Sequence, residues 1–197
     1  GSRFQLVTAD SKVDVDLQAP GPHSISNFLV AATVALALGL SVGTIAEHAR
    51  GLRLEPSRGR VMRLPNDIIL INDTYNSNPR ALLSATETLA LARDRRRVAC
   101  VGDMLELGNE GPRLHREAGH AIGSRVDLLL GVGSLAQELV LGATALPAHA
   151  KRAFESSAAL ASCISELIES HDAVLVKGSR GVRMERVVEA LVAAHPE

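Results

Sequence analysis

The chain has no excess of positive or negative charge. Its 197 residues include 21 lysines and arginines and 22 aspartates and glutamates, a formal net charge of −1. A chain this close to neutral offers a polyanion no attractive field, so we expect no nucleic-acid partner. It has only two cysteines, Cys100 and Cys163, each among apolar residues. Two such cysteines argue against a disulfide framework and favour a reducing compartment, so we expect a cytoplasmic protein.

Long hydrophobic runs are also missing. The longest apolar stretch, residues 28–40, is too short to cross a bilayer and is neither N-terminal nor flanked by basic residues. We therefore expect neither a membrane span nor a signal peptide. Aromatic residues make up 2% of the chain, and the single tyrosine, Tyr75, lies in the polar stretch NDTYNSNP. This placement singles out the stretch as a candidate site.

The first part of the chain, residues 1–56, has a short pattern of its own. KVDVDLQ alternates apolar and polar residues after a turn at Asp10, so residues 3–17 predict a β-hairpin. Residues 27–38 are almost all apolar or alanine and predict a helix buried on most sides, followed by a helix near 42–52. A hairpin and two helices cannot bury such a helix alone. We therefore expect residues 1–56 to be the end of a larger domain.

After a Pro-, Ser- and Gly-containing linker at 54–60, the pattern of residues 57–197 becomes regular. Helical stretches alternate with short apolar runs, as in a parallel sheet with helices on both faces. The expected strands lie at 68–71, 98–101, 128–130, 151–154 and 174–176, and the helices near 79–93, 112–125, 134–142, 156–169 and 181–194. The predicted fold is α/β: a Rossmann-like, mostly parallel sheet with helices on both faces, preceded by a partial α/β segment of a hairpin and two helices. Ligands of such sheets bind beyond the carboxyl ends of the strands.

The first strand-to-helix junction is the tyrosine-containing stretch. Ser77 or Asn78 can cap a helix whose first residue is Pro79. One cap needs one residue, so residues 73–76 remain unexplained. A carboxylate with neighbouring amides at the end of a strand suits the hydroxyls and amides of a ligand, and we favour a binding site here.

The last junction, VLVKGSRGVRMERV, combines two cations, a hydroxyl and two glycines before a helix. Cations are unfavourable at a helix N-terminus, whereas an anionic ligand is favourable there. We therefore predict a pocket for a carboxylate or phosphate formed by Lys177, Ser179 and Arg180. The alternative is a capped turn with solvated basic side chains.

Two other junctions are ambiguous. CVGDMLELGNEG is as consistent with a loop capped by Asn109 as with a site. In LLLGVGSLAQEL, Gly131, Gly133 and Ala136 match the dinucleotide-binding fingerprint. Glu155 follows at about the distance of the acidic ribose ligand. The fingerprint normally follows the first strand of its sheet and here lies in the middle, so we keep a dinucleotide-binding Rossmann module as an alternative.

Two groups of residues are interpreted as structural. The run RDRRR, residues 93–97, predicts a solvated helix C-terminus, where cations suit the helix dipole. His115 and His120 have no carboxylate or histidine at metal-ligand spacing, and we expect surface or core histidines and no bound metal. No G-x-x-x-x-G-K-[ST] phosphate loop occurs in the sequence.

Three motifs together resemble one enzyme family. DTYNSNP, GDMLELG and VLVKGSRGVRMERVV resemble, in this order, segments of the ATP-dependent Mur ligases, and the first two are typical of the members that add D-alanyl-D-alanine. GPHSISNFLVAATVALALG resembles the end of that family's central ATPase domain. The resemblance covers essentially the whole chain. It implies that residues 1–56 end the central ATPase domain and that residues 57–197 form the C-terminal Rossmann-like domain.

The resemblance also implies a reaction of peptidoglycan-precursor synthesis. In the family, ATP phosphorylates the carboxylate of a UDP-linked peptide, here a UDP-N-acetylmuramoyl-tripeptide, and the amine of D-alanyl-D-alanine attacks the acyl phosphate. We expect ATP and Mg²⁺ as cofactors, small molecules as partners, no membrane and a monomeric protein. The residues implied to contact ATP are Asn27, Arg60 and Asp73, and those implied to contact the peptide substrates are Asn76, Asn78, Lys177, Ser179 and Arg180.

The family's phosphate loop, its magnesium-binding carboxylate and histidine, and its carbamylated lysine have no counterpart in this sequence. We therefore expect the C-terminal part of a ligase, unable to ligate or to hydrolyse ATP alone. A catalytically silent Mur-ligase-like binding protein is a further alternative.

Overall fold

The chain divides into two compact units. A computed structural model describes residues 1–52 and 55–196 and separates Gly1–Glu55 from Pro56–Glu197. The division lies within the predicted linker, whose first residue, Leu54, is outside the described residues. Throughout the described ranges, no helix is long and apolar enough to cross a membrane.

The first unit contains the predicted hairpin and two helices. Its elements are β1 (Ser2–Val7), β2 (Lys12–Leu17), α1 (Pro22–Ala37) and α2 (Val42–Ala49), and the two strands are antiparallel. The alternation of β2 buries Val15 and Leu17, while Asp14 is exposed. The ring of Phe4 meets that of Phe28 edge-on, with centroids 5.6 Å apart. The hairpin prediction is therefore confirmed.

Helix α1 is less buried than its composition predicts. Ser24, Phe28 and Ala32 are its buried residues. Val30 and Val34, on other sides of the helix, are 68% and 56% exposed. Within the described residues only one face of α1 is buried, because a two-stranded hairpin and one short helix cover a single face; burial of its other sides by a larger domain stays a prediction.

Across its described residues, 56–196, the second unit is a six-stranded sheet with helices on both faces. Its strands are β3 (Arg60–Leu64), β4 (Ile68–Asp73), β5 (Arg97–Gly102), β6 (Leu128–Val132), β7 (Lys151–Phe154) and β8 (Ala173–Lys177). Its helices are α3 (Pro79–Leu89), α4 (Gly111–Gly123), α5 (Ala136–Gly142), α6 (Ser157–Ala161), α7 (Ile164–Leu167) and α8 (Glu185–Ala194). The strand order is β3-β4-β8-β5-β6-β7, and each neighbouring pair is parallel except β3 with β4. The predicted mostly parallel α/β sheet is confirmed.

Hydrophobic cores lie on the two faces of this sheet. Val174 and Val176 of β8 point into the core beneath α8, and Leu175 points into the core beneath α3 and α4. All five residues of β8 are buried. Apart from Lys177 at its end, β8 is apolar throughout, as a strand covered on both faces requires, which is why the parallel strands are recognisable as short apolar runs.

Strand β3 was missed by the sequence prediction. It starts at Arg60, within the predicted linker, and returns to β4 through Asn66 and Asp67, which both have positive φ. As an edge strand it has one neighbour, and its sequence RVMRL exposes both arginines. An amphipathic five-residue edge strand lacks the apolar run by which the central strands were found.

Two helix predictions also change. The stretch 156–169 forms α6 and α7 rather than one helix. Between them, the Ser162 hydroxyl donates to the carbonyl of Ala159 at 2.9 Å, a local bond that competes with the helical pattern. The last helix begins at Glu185, not near 181, because Arg183 adopts the left-handed conformation with φ of 58°.

The arginine run at 93–97 is not a solvated helix end. Arg96 donates to both carboxylate oxygens of the buried Asp172, at 2.9 and 2.7 Å. Arg97 donates to both oxygens of Asp127, at 2.8 and 2.7 Å, and lowers the pKa of that carboxyl below its usual value. The earlier interpretation is wrong, because these arginines tie together the amino ends of β5, β6 and β8.

Candidate functional site

The carboxyl ends of three central strands converge on one small cavity. β8 lies between β4 and β5, with Lys177 opposite Asp73 on one side and Val101 on the other. The loops that follow these strands enclose a cavity of about 190 Å³ lined by Tyr75, Asn76, Leu105, Glu106, Ser179, Arg180 and Gly181. The first and last junctions of the sequence prediction thus meet at one site, together with the ambiguous loop GDMLELG.

Lys177 is buried and hydrogen-bonded within the protein. Its Nζ donates to Oδ2 of Asp73 at 2.6 Å and to the carbonyl of Asn76 at 2.8 Å. The residue is 2% exposed, so the nearby carboxylate compensates for the desolvation of its charge. Lys177 therefore ties the end of β8 to the loop after β4, and a direct contact with a substrate anion stays a prediction.

Asp73 retains one carboxylate oxygen for a ligand. Lys177 takes Oδ2, whereas Oδ1 has no hydrogen-bond donor among the residues that the structure describes. The side chain is 22% exposed, so this oxygen is not sealed in the core. A carboxylate oxygen held in place by a lysine can accept a hydrogen bond from a hydroxyl such as that of a ribose.

Ser179 connects the three loops around the cavity. Its hydroxyl accepts from the backbone N–H of Leu105 at 2.9 Å and donates to the carbonyl of Ser77 at 3.3 Å. Its own N–H donates to the carbonyl of Asp103 at 3.1 Å. The residue is 3% exposed, so its role in the described structure is to hold these loops together.

The two asparagines of the first junction make different local bonds. Asn78 caps α3, since its Oδ1 accepts from the N–H of Ala81 at 2.8 Å. Asn76 accepts from the N–H of Ser77 at 2.8 Å through Oδ1, and it lines the cavity. Its amide NH₂ has no acceptor within residues 55–196 and is available to a ligand carbonyl or carboxylate.

The ring of Tyr75, a residue that lines the cavity, lies close to two arginines. The guanidinium carbon of Arg58 lies 3.8 Å from the centroid of the tyrosine ring, and that of Arg180 lies 5.8 Å from it. Both distances suit a cation–π attraction. The N–H of Tyr75 also donates to the carbonyl of Ser57 at 3.0 Å. The sequence prediction missed Arg58, because nothing in its spacing connects it to the tyrosine.

The apparent dinucleotide fingerprint is filled by an acidic side chain of the protein. The carboxylate of Asp103, 4% exposed, accepts from the hydroxyl of Ser134 at 3.0 Å and the N–H of Leu135 at 3.1 Å. A Cβ on Gly133 would lie 2.4–2.6 Å from three atoms of this carboxylate. Asp103 therefore occupies the space before α5 that a pyrophosphate would need, and the dinucleotide alternative has no anion site here.

The other fingerprint residues also have packing roles. A Cβ on Gly131 would approach the carbonyl oxygen of Ala136 to 3.1 Å, so glycine allows α5 to pack closely on β6. Glu155 follows β7 and is exposed. These contacts account for the spacing without a bound dinucleotide.

His115 anchors the loop GDMLELG from within the core. It is 1% exposed; its Nε2 accepts from the N–H of Met104 at 2.9 Å, and its Nδ1 donates to the carbonyl of Gly111 at 2.7 Å. These partners require a neutral ring with the proton on Nδ1. The interpretation as a core histidine is confirmed.

The remaining predicted ATP contacts lie in different units. Arg60 is exposed at the start of β3, opposite Asn72 and so close along the sheet to Asp73. Asn27 is exposed on α1 of the first unit. In the part of the chain that the structure describes, no group of three or more His, Cys, Asp or Glu side chains could hold a metal ion.

Comparison with known families decides to which one the chain belongs. Residues 57–180 match the family model described as "Mur ligase, glutamate ligase domain". The chain belongs to the Mur ligase family. The motifs on which the resemblance rested all fall in or next to the matched region, apart from the segment that includes Asn27.

Individual Mur ligases match over nearly the whole chain. The UDP-N-acetylmuramoyl-tripeptide–D-alanyl-D-alanine ligase of Escherichia coli (strain K12) is 34% identical over 194 residues, 97% of this chain and 42% of that protein. MurF from Acinetobacter baumannii superposes with a TM-score of 0.85 at 29% identity, covering 96% of this chain and 41% of that one. The MurF ligase of Thermotoga maritima in complex with ADP shares the fold, with a TM-score of 0.77 at 24% identity over 95% and 42% of the chains. The chain thus spans about two fifths of the length of these relatives.

Proposed function

We propose that this chain is the C-terminal part of an ATP-dependent ligase that joins D-alanyl-D-alanine to a UDP-N-acetylmuramoyl-tripeptide, a step of peptidoglycan-precursor synthesis. The observation that carries the proposal is the cavity of about 190 Å³ after β4, β5 and β8, which Arg180 and Asn76 help to line. A cavity of this size with a free cation suits a small carboxylate ligand. The name of the Escherichia coli relative includes such a ligand, D-alanyl-D-alanine.

In this proposal, residues 1–56 end the central ATPase domain and residues 57–197 form the C-terminal domain. Arg180 and Asn76 bind the dipeptide carboxylate. The loops around the cavity are held in place by Asn78, Lys177 and Ser179, which contribute to binding of the peptide substrates mainly in this way. This division of roles follows from the hydrogen bonds that the three residues already make within the chain.

ATP is the second ligand of the proposed ligase. Its contacts with this chain are Asn27, Arg60 and Asp73, and Asp73 is suited to a ribose hydroxyl because its Oδ1 is free among the described residues. The Thermotoga relative, similar in fold, was solved with ADP. We assign no ligand of Mg²⁺ to this chain, since its described residues offer no cluster of three potential ligands.

In the proposed reaction these residues orient the dipeptide, hold the nucleotide and exclude water. Phosphoryl transfer from ATP activates a carboxylate of the tripeptide as an acyl phosphate, and the dipeptide amine displaces phosphate to form an amide. Arg180 and Asn76 fix one end of the dipeptide, so that its amine approaches the acyl carbon in one orientation. Asp73 and Arg60 hold the nucleotide from the side of this unit. The loops joined by Ser179 exclude water, which would otherwise hydrolyse the acyl phosphate.

Two measurements on this chain test the proposal. Calorimetric titration with D-alanyl-D-alanine should show binding, weaker for L-alanyl-L-alanine and for the variants Arg180→Ala and Asn76→Ala. With ATP, Mg²⁺ and both peptide substrates, phosphate release should stay at the buffer background, because the sequence contains no phosphate loop. The proposal is wrong if the dipeptide does not bind, and the expected inactivity is wrong if phosphate is released. A phosphate loop encoded upstream of residue 1 would favour the ligase over a silent relative.

A further inference from the structure

Two unpaired side chains of opposite charge line the cavity. Arg180 and Glu106 both contribute to its wall. Neither makes an ion pair or a side-chain hydrogen bond with any residue that the structure describes. The neighbouring Lys177 differs, since Asp73 neutralises it at 2.6 Å. The cavity therefore keeps one free cation and one free anion, a pattern that suits a ligand carrying both charges.

Glu106 retains its side chain at a position that favours glycine. Its φ of 66° lies in the left-handed region, where the Cβ of an L residue is crowded. Two residues later the same loop adopts a φ of 55° at Gly108, where no Cβ exists. Because glycine would form this turn with less strain, the fold alone does not account for a glutamate at position 106. The side chain is exposed, so its carboxylate is accessible to a ligand.

The rest of the cavity wall suits a small peptide. Leu105 is 44% exposed beside Glu106 and offers an apolar surface for methyl groups. Tyr75 supplies a second apolar surface and stacks near the Arg180 guanidinium. These surfaces lie with the two free charges around one cavity, so a short zwitterion with small side chains could satisfy all of them at once.

We propose that Glu106 binds the amino terminus of the dipeptide, which arrives as an ammonium group and gives up one proton before its amine attacks, while Arg180 binds the dipeptide carboxylate, so that Glu106 determines the preference for a free amino terminus. This inference rests on the proposed function, because it takes D-alanyl-D-alanine as the ligand. Charge-assisted hydrogen bonds at both ends orient the peptide as well as hold it. Glu106 is thereby a specificity-determining residue that the sequence prediction left unassigned.

The test is a set of calorimetric titrations of the full 197-residue chain. The ligands are D-alanyl-D-alanine and N-acetyl-D-alanyl-D-alanine, which lacks the ammonium group. Wild type should bind the free dipeptide at least about tenfold more tightly, as expected for a hydrogen bond between charged groups. Glu106→Gln and Glu106→Gly should bring this ratio close to one. Glu189→Gln, which removes an exposed carboxylate from α8, is the control for net charge and should keep the wild-type ratio.

Stability separates this binding role from a structural one. Glu106→Gly relieves the left-handed strain, so its urea midpoint should be at least that of wild type although it loses the preference for the free amine. If the dipeptide binds but Glu106→Gln keeps the wild-type ratio, the inference is wrong and the proposed function stands. If wild type binds neither peptide, both are wrong.

Discussion

Replacing Gly133 by alanine should destabilise the second unit through a side chain 30 residues earlier, Asp103. The new Cβ would lie 2.4–2.6 Å from the Asp103 carboxylate, so the acid must move. Moving it breaks the hydrogen bonds from the Ser134 hydroxyl and the Leu135 N–H, at 3.0 and 3.1 Å. The backbone also becomes strained, because Gly133 has a φ of 119°, which L residues rarely adopt.

The size of the effect follows from these two causes. The left-handed conformation of a non-glycine residue costs about 1–3 kcal/mol. Displacing a buried carboxylate from two donors costs about 1.5–3 kcal/mol for each bond, partly recovered where water reaches the displaced groups. We therefore expect Gly133→Ala to lower the free energy of unfolding by about 3–5 kcal/mol, a large part of the total stability of an ordinary domain.

Urea denaturation followed by tyrosine fluorescence is a suitable assay. The chain contains no tryptophan, and its single tyrosine, Tyr75, lies in the second unit, so the signal reports this unit. Asp103→Ala is the companion variant, because it removes the group that the new Cβ would meet. In that background Gly133→Ala should cost only the backbone strain, about 1–3 kcal/mol.

Two results would refute this reasoning. One is a Gly133→Ala variant as stable as wild type. The other is a cost that is the same with and without the Asp103 side chain. Titration with NAD completes the experiment: tight binding by wild type that Gly133→Ala abolishes would instead support the dinucleotide-binding alternative.

Three further predictions concern buried and paired groups. Lys177→Met leaves the Asp73 carboxylate unpaired and should cost about 2–4 kcal/mol in the same assay, with partial recovery on adding Asp73→Asn; a loss below about 1 kcal/mol would contradict it. The Arg97 guanidinium lowers the pKa of Asp127 in the folded protein below 3.8. The ionised Asp127 therefore stabilises the folded state fully above pH 3.8, and this stabilisation is lost as the pH falls through the lower folded-state pKa. Asp127→Asn should cost about 0.5–1 kcal/mol at pH 7, since the side chain is 40% exposed, and progressively less below pH 3.8; a cost independent of pH would contradict this. Burial raises the pKa of the Cys100 thiol to about 12, so a thiol reagent at pH 8 should modify the partly exposed Cys163 alone in native protein and both cysteines in urea. Native modification of Cys100 would show that it is accessible.

Much of the second unit could be predicted because its strands obey a local rule. β4, β5, β6 and β8 are covered by helices on both faces, and that environment requires the apolar runs by which they were found. β3 has one neighbouring strand and exposed arginines, so its sequence resembles that of the linker before it. The ion pairs of the arginines at 95–97 also could not be predicted from a local pattern. Their acidic partners lie 28, 76 and 30 residues away in the sequence, respectively.

The site itself was predicted in part. The polar residues after β4 and β8 could be placed at one edge of the sheet, because the carboxyl ends of parallel strands lie together. Which of them remain free for a ligand depends on their partners. The hydrogen-bond partners of Lys177 lie 101 and 104 residues away in the sequence, and those of the Ser179 hydroxyl lie 74 and 102 residues away. Such partners cannot be identified from sequence spacing.

The sequence by itself determined the α/β class, the strand-helix alternation, the two candidate junctions and the family resemblance, because each depends on short patterns. Tertiary structure alone decided that β8 lies between β4 and β5. That order neutralises Lys177 and leaves Arg180 and Glu106 unpaired around one cavity, and the pairing of β5 with β6 directs Asp103 into the turn at Gly133. Strand order sets these contacts because it places loops distant in sequence within hydrogen-bonding distance, and no local pattern encodes that distance.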